Sequence, residues 1–328
     1  MVRRVSVLST GGTISTSDAA GRAKPTSRAS DLLGSIEPLP DGVEVAAVTD
    51  VQHVISPALS LADMWGIVVA AQREAASGRC DGIVVTHGTA NIIDTAFLAW
   101  LVWNADVGLA FTGAMAGGNR ISRDGPRNLR GAILVAATPA LATAGPTVVM
   151  SDLIHSPRFA RKVHKSFLHA FSSGHHGTFG YVDEGLVRVT GTVGSPPMLV
   201  GAEPDDDAVQ LVKAVPGMGG LLLESALDAG ARGIVLECLP GRGGVPPRLA
   251  DQLLRAIDAG LPVVLSGEAD GRISGNYEGV MHAAHYIDRG AIGAGDLAPT
   301  RARTLLSLLL AAGANAERIR AVFAEIAP

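Results

Sequence analysis

An α/β fold is what this sequence predicts: a larger N-terminal domain with a mostly parallel sheet covered by helices, and a smaller C-terminal α/β domain. Three observations carry that reading. Short β-branched runs such as Gly82-Ile83-Val84-Val85-Thr86 alternate with longer segments whose apolar positions recur at helical spacing, the signature of a parallel sheet covered on both faces. At 328 residues the chain exceeds one ordinary domain, and a hydrophobic content of 47% supports sizeable cores. The alternation breaks near Pro204-Asp205-Asp206-Asp207 and then resumes, so domains are expected at 1–200 and 216–328 with a linker at 201–215.

The elements follow in order. Val5 to Ser9 reads as a first strand, ended by Thr10-Gly11-Gly12-Thr13, where two glycines suit a tight turn or a close ligand. Ser15 to Arg28 is polar and aperiodic, which predicts a mobile loop and a lid. Val43 to Val48 is a second strand, and Leu61, Met64, Trp65 and Val68 form the i, i+3, i+4, i+7 stripe of an amphipathic helix. Gly82 to Thr86 is the next strand, followed by a helix from Ile92 to Trp103, a strand from Leu109 to Thr112, a helix opened by Pro126, and a strand from Thr147 to Met150. Between Pro157 and Val193 the short pieces Phe179–Val182 and Leu186–Val189 predict a hairpin region closing the first domain. Beyond it, Gly219–Ala229, Ile234–Glu237, Leu249–Ala259 and Val263–Ser266 resume the alternation, with closing helices at Leu305–Leu310 and Ile319–Ile326.

Composition narrows the function. A net charge of -4 with scattered arginines leaves no basic footprint for nucleic acid, and no apolar run approaches the roughly 18–20 residues of a membrane span. The apolar run after Met1-Val2-Arg3-Arg4 is too short for a signal peptide, so cytoplasmic residence is the expectation. Cys80 and Cys238 lack metal-ligand spacing, and His175-His176 has no carboxylate or cysteine close by, so no metal and no cofactor is expected.

The chemistry gathers at predicted strand ends. Gly11-Gly12-Thr13, the segment around Ser56, Thr86-His87-Gly88-Thr89 and Gly113-Ala114-Met115 are loops, three of them with glycine and three with hydroxyls, that a parallel sheet would bring to one edge. Thr89 also reads as a plain helix cap, His87 as a packing residue under its loop, and Lys162, with Arg158, Arg161 and Lys165 nearby, as a solvated charge.

Further along come Ser122-Arg123-Asp124-Gly125-Pro126-Arg127-Asn128-Leu129 and Ser151-Asp152 with Arg161-Lys162. With Thr10-Gly11-Gly12-Thr13-Ile14, Thr86-His87-Gly88-Thr89 and Gly113-Ala114-Met115, they make a set that resembles the bacterial-type L-asparaginase family over nearly the whole chain. The resemblance implies an amidohydrolase that releases ammonia from a small side-chain amide, L-asparagine by default, through an acyl-enzyme on Thr13. Thr89 and Lys162 would handle the proton, since a hydroxyl needs a base and a lysine serves as one only when its pKa falls. Gly12, Ser56, Gly88, Ala90 and Ala114 would line the substrate, with Pro57 the alternative occupant of the serine position and backbone N–H donors holding the oxyanion.

The chain departs from the family twice. Ala90 stands where the family has the aspartate that grips the α-ammonium, and residues 14–40 contain no tyrosine to match the family's loop tyrosine. Asn91, or Asp94 a helical turn on, is a candidate to compensate for Ala90. An amide without a free α-amino group, and a non-catalytic amino-acid-binding homologue, are the alternative readings. The resemblance also implies a homodimer or a homotetramer of close dimers, with Gly241–Gly244 and Ser266–Glu278 matching the region that completes a neighbour's site; in that loop a glycine and an arginine replace the usual asparagine.

Overall fold

A computed structural model describes residues 2–17, 24–25, 29–117, 120–191, 195–273 and 277–327. The chain divides into two compact units, Met1–Leu199 and Val200–Pro328.

Aliphatic runs without polar alternation need apolar cover on both faces, and the N-terminal unit provides it. Its strands β1 (Arg3–Ser9), β2 (Val43–Asp50), β3 (Gly82–Thr86), β4 (Gly108–Thr112) and β5 (Thr147–Met150) run parallel. Strands β6 (Leu153–His155), β7 (Gly180–Asp183) and β8 (Leu186–Val189) extend the same sheet antiparallel, giving the order β8-β7-β6-β5-β4-β3-β1-β2. The central β3 and β4 are buried at every residue, whereas β2 is nowhere buried, in keeping with its place at the edge.

Helix α1 (Leu61–Ala76) is opened by a capping box in which Ser60 and Asp63 satisfy each other's backbone N–H groups, and it packs against α2 (Ile92–Val102). Helix α3 (Gly125–Ala136) covers β3, β4 and β5, its Leu129, Ala132 and Ile133 forming one core with Val5, Val7, Val84 and Val149. Because side chains alternate across a strand, Ile83 and Val85 point to the opposite face. Both are fully buried as well.

The predicted hairpin forms, but it adds to the main sheet through β6, whose three residues are too few for a periodic signal. Of the polar stretch read as a loop and lid, residues 18–23 and 26–28 lie outside the described ones; Thr16–Ser17 and Lys24–Pro25 pair antiparallel. Residues 192–193 of the hairpin region and 274–276 of the segment Ser266–Glu278 are also outside them.

In the second unit four strands, β9 (Val209–Lys213), β10 (Gly233–Glu237), β11 (Val263–Ser266) and β12 (Ile292–Gly293), make an all-parallel sheet. Strand β9 falls inside 201–215, the stretch read as a linker. Its acidic approach conceals it, since Asp205, Asp206 and Asp207 precede a run in which only Val209 and Val212 are buried. Leu223, Leu253 and Tyr286 pack on Ile234, Leu236, Val263 and Leu265 to form this unit's core. Among the described residues no helix is long and apolar enough to cross a membrane.

Candidate active site

Five parallel strands send their C-terminal ends to one edge, and the glycine loops follow from those ends. Their approach is close enough to exclude side chains. Gly12 has φ +86°, and a Cβ there would lie 2.5 Å from the Cα and N of Gly88; a Cβ on Gly88 would lie 2.4 Å from Ser56 Oγ; one on Gly113 would lie 2.5 Å from the His87 carbonyl. The loops carrying Thr13, Thr89 and Ala114 therefore touch through backbone, and the Ser56 side chain packs on the Gly88 backbone, so that only glycine fits at these points.

Thr13 opens a short 3-10 turn, Thr13–Ser15, and is only half-buried while Gly11, Gly12, Ile14 and Ser15 around it are buried. Thr89 is buried, and Lys162 Nζ donates to its Oγ1 at 2.8 Å across a separation of 73 residues. Lys162 is carried by a two-residue strand, Arg161–Lys162, paired with Phe171–Ser172. Burial lowers its pKa below the ordinary lysine value. A deprotonated amine at that distance accepts a proton from the threonine hydroxyl, so one contact serves in either direction.

Ser56, expected to line the substrate, is buried; its Oγ accepts the Ala90 N–H at 3.3 Å and its carbonyl accepts Asn91 Nδ2 at 2.7 Å. Those bonds make it a brace for the Thr89 loop. Asn91 is committed too, since its amide nitrogen serves Ser56 and its Oδ1 is shut away from solvent. Asp94 lies in the first turn of α2. Ala90 is exposed and lines an open cleft together with Lys162.

His87 is wholly buried, with Nδ1 2.8 Å from the Gly88 carbonyl and Nε2 3.0 Å from Thr95 Oγ1. A carbonyl only accepts, so Nδ1 carries the proton and Nε2 accepts from Thr95. Burial pushes its pKa down to about 4, and it pins the loop as a neutral ring.

Two bracing residues had no assigned role in the sequence reading. The Asp124 carboxylate accepts the N–H groups of Met115 and Ala116 at 3.0 and 2.9 Å, and Asn128 donates to the Gly113 carbonyl at 2.9 Å while its Oδ1 accepts Ser151 N–H at 2.9 Å. Their i, i+4 spacing at the head of α3 is the signal, because it sets both side chains on one face above the Ala114 loop. Among the described residues no group of three or more His, Cys, Asp or Glu side chains is arranged to hold a metal ion.

A mostly parallel sheet with glycine loops, hydroxyls and a lysine–threonine pair at its carboxyl edge can activate a hydroxyl against a carbonyl carbon. The comparisons name the family. Residues 4–193 match the family model "Asparaginase, N-terminal", and residues 208–323 match "Glutaminase/Asparaginase C-terminal domain". The chain is 34% identical to the "Probable L-asparaginase" of Deinococcus radiodurans, over 98% of this chain and 97% of that protein. It is 27% identical to "L-asparaginase 2" of Escherichia coli strain K12, over 97% and 92%. A crystal structure of a "Probable Cytoplasmic L-asparaginase" from Campylobacter jejuni superposes with a TM-score of 0.86 at 26% identity, covering 98% of this chain and 99% of that one. The chain belongs to the asparaginase family of amidohydrolases.

Proposed function

We propose that the protein hydrolyses a linear side-chain amide through an acyl-enzyme on Thr13, with Thr89 and Lys162 moving the proton and L-asparagine as the reference substrate. The observation that carries this reading is the 2.8 Å contact between Lys162 Nζ and Thr89 Oγ1, beside the loop from which Thr13 projects. Thr13 Oγ attacks the amide carbon as its proton passes to the threonine–lysine pair. The C–N bond then breaks as the pair returns a proton to the leaving nitrogen, and water cleaves the ester by the same route reversed. The oxyanion is stabilised by backbone N–H groups of the Gly12, Gly88 and Ala114 loops, held by the contacts described above. The relatives named as L-asparaginases support the substrate class.

A specific observation favours a second reading, an amide lacking a free α-ammonium: Ala90 lines the cleft where the resemblance calls for a carboxylate. A purely binding role is disfavoured, because a sensor needs neither a nucleophile nor a base. The Campylobacter jejuni neighbour described as cytoplasmic supports cytoplasmic residence, and the family resemblance supports an assembly of close dimers in which Gly241–Gly244 reaches a neighbour's site. Sedimentation at micromolar concentration is expected to show a dimer or tetramer, and a monomer alone overturns that part.

The test of the main reading is ammonia release across asparagine, glutamine and small ω-amides. Thr13→Ala is expected to abolish turnover with folding intact, and Thr89→Val and Lys162→Met each to lower kcat by about 100-fold or more, as for groups acting as a unit. An active Thr13→Ala protein overturns the assignment.

A further inference from the structure

The cleft beside the lysine–threonine pair has a volume of about 830 Å³ and is lined by Ala90, Lys162, Val163, His164, Lys165 and Ser166. None of these is acidic. Lys165 brings an ammonium group, Lys162 an amine that is cationic only while it holds the proton it relays, and the His164 ring adds a donor: its Nδ1 accepts the N–H groups of Ser166 and Phe167 at 3.0 and 2.9 Å, which leaves the ring proton on Nε2. The wall is held in place. His164 stacks on Phe167 at 3.5 Å, Val163 N–H bonds the Ala170 carbonyl at 2.8 Å, and Ser151 Oγ donates to the Leu168 carbonyl at 2.6 Å.

A cleft whose described lining has the Lys165 cation, a second lysine nitrogen, a ring donor and no carboxylate repels an ammonium substituent and attracts an anionic one. Asparagine brings both charges, and its ammonium meets no opposite charge on this wall. The volume lies in the upper part of the roughly 300–1,000 Å³ range of small-molecule pockets, which leaves room for more than an amino-acid side chain. We propose that this cleft selects net-anionic amides, compounds that carry a carboxylate and no free ammonium, and that Lys165 is the residue that discriminates by charge. This rests on the amidohydrolase reading above and names its substrate class. The half-amide of a dicarboxylic acid and an N-acylated asparagine share that chemistry.

The experiment uses the full chain at low ionic strength and four amides: succinamate, N-acetylasparagine, asparagine and neutral succinamide. At least one anionic amide is expected to exceed asparagine in kcat/KM by about tenfold, the scale of one charge-assisted contact, and added salt is expected to erode that margin. Whichever anionic amide leads identifies the source. Lys165→Gln is expected to reduce the anionic-over-succinamide ratio of kcat/KM by about tenfold and Lys165→Glu to reduce it further. Asparagine as the preferred substrate, or a ratio unmoved by either variant, overturns the inference. Calorimetry on the Thr13→Ala protein reads the same preference without turnover: tighter binding of succinamate than asparagine, weakened by adding Lys165→Gln, supports it, and equal binding overturns it. Charge-selective binding with no ammonia from any amide removes the hydrolase reading alone, and Thr13-dependent turnover without charge preference removes this inference alone.

Discussion

Ala90 is one residue with two consequences. A carboxylate there would offer a substrate ammonium a charge-assisted contact worth roughly 1.5–3 kcal/mol, so Ala90→Asp is expected to raise kcat/KM for asparagine by about 10–100-fold relative to amides without an α-amino group. It would also set a negative charge beside Lys162. That stabilises the ammonium, raises the lysine pKa and moves the acid limb of the pH–rate profile to higher pH. A variant with unchanged selectivity and an unshifted limb defeats both points. At this scale the sequence was informative by type and silent by contact. Thr13 and Thr89 stood out because hydroxyls beside glycine at a strand end are not needed for burial. Lys162 carried no such signal, since a two-residue strand has no periodicity and its neighbours Arg161 and Lys165 make it look like one more solvated charge. Ser56 was named through the family resemblance, and its acceptance of the Ala90 N–H is a bond that no local pattern announces.

Among the elements, α3 does more than cover the sheet. Asp124 and Asn128 at its head tie together the Ala114 loop and the Ser151 turn, where Ser151 and Asp152 both hold positive φ, 50° and 66°, and Ser151 Oγ reaches the loop that follows Lys162. Removing Asn128 leaves the Ser151 N–H and the Gly113 carbonyl without that partner, so Asn128→Ala is expected to cost about 1–3 kcal/mol of stability. It should also lower kcat about tenfold or more through loop misplacement. Asp124→Asn keeps one acceptor oxygen and is expected to lose less than Asp124→Ala in both melting temperature and kcat; the reverse order refutes the brace. The helices themselves were readable from their period, α1 from Leu61, Met64 and Val68, all of which are buried. The small strands β6 and Arg161–Lys162 were not, because they are specified by tertiary pairing and too short to show alternation, and β9 was hidden by its acidic approach.

At the scale of the molecule, the buried runs of β3, β4 and β5 made the sheet legible, while the antiparallel extension through β6 to β8 depends on partners that no single run names. The same burial makes the fold acid-sensitive through two histidines. Burial lowers His87 and His155 from 6.5 to about 4, and His155 Nδ1 lies 2.8 Å from Ser173 Oγ while its Nε2 is buried without a bond. Both are neutral in the folded chain, whereas the unfolded chain takes up protons near 6.5. The stability they contribute is therefore whole above about 6.5 and is lost as pH falls toward 4, on the order of 3 kcal/mol for each ring. Asp63 and Asp81 act in a lower window. Backbone hydrogen bonds from Ser60 and Arg4 hold their pKa values below 3.8, so their contribution is lost only as pH falls beneath that value. Denaturant melts between pH 7 and pH 4.5 are expected to show stability falling with a slope approaching two protons per chain, and His155→Gln to remove about one of them. A slope unchanged in His155→Gln, or stability flat between pH 7 and pH 4.5, means that the buried rings do not set the acid limit of this fold.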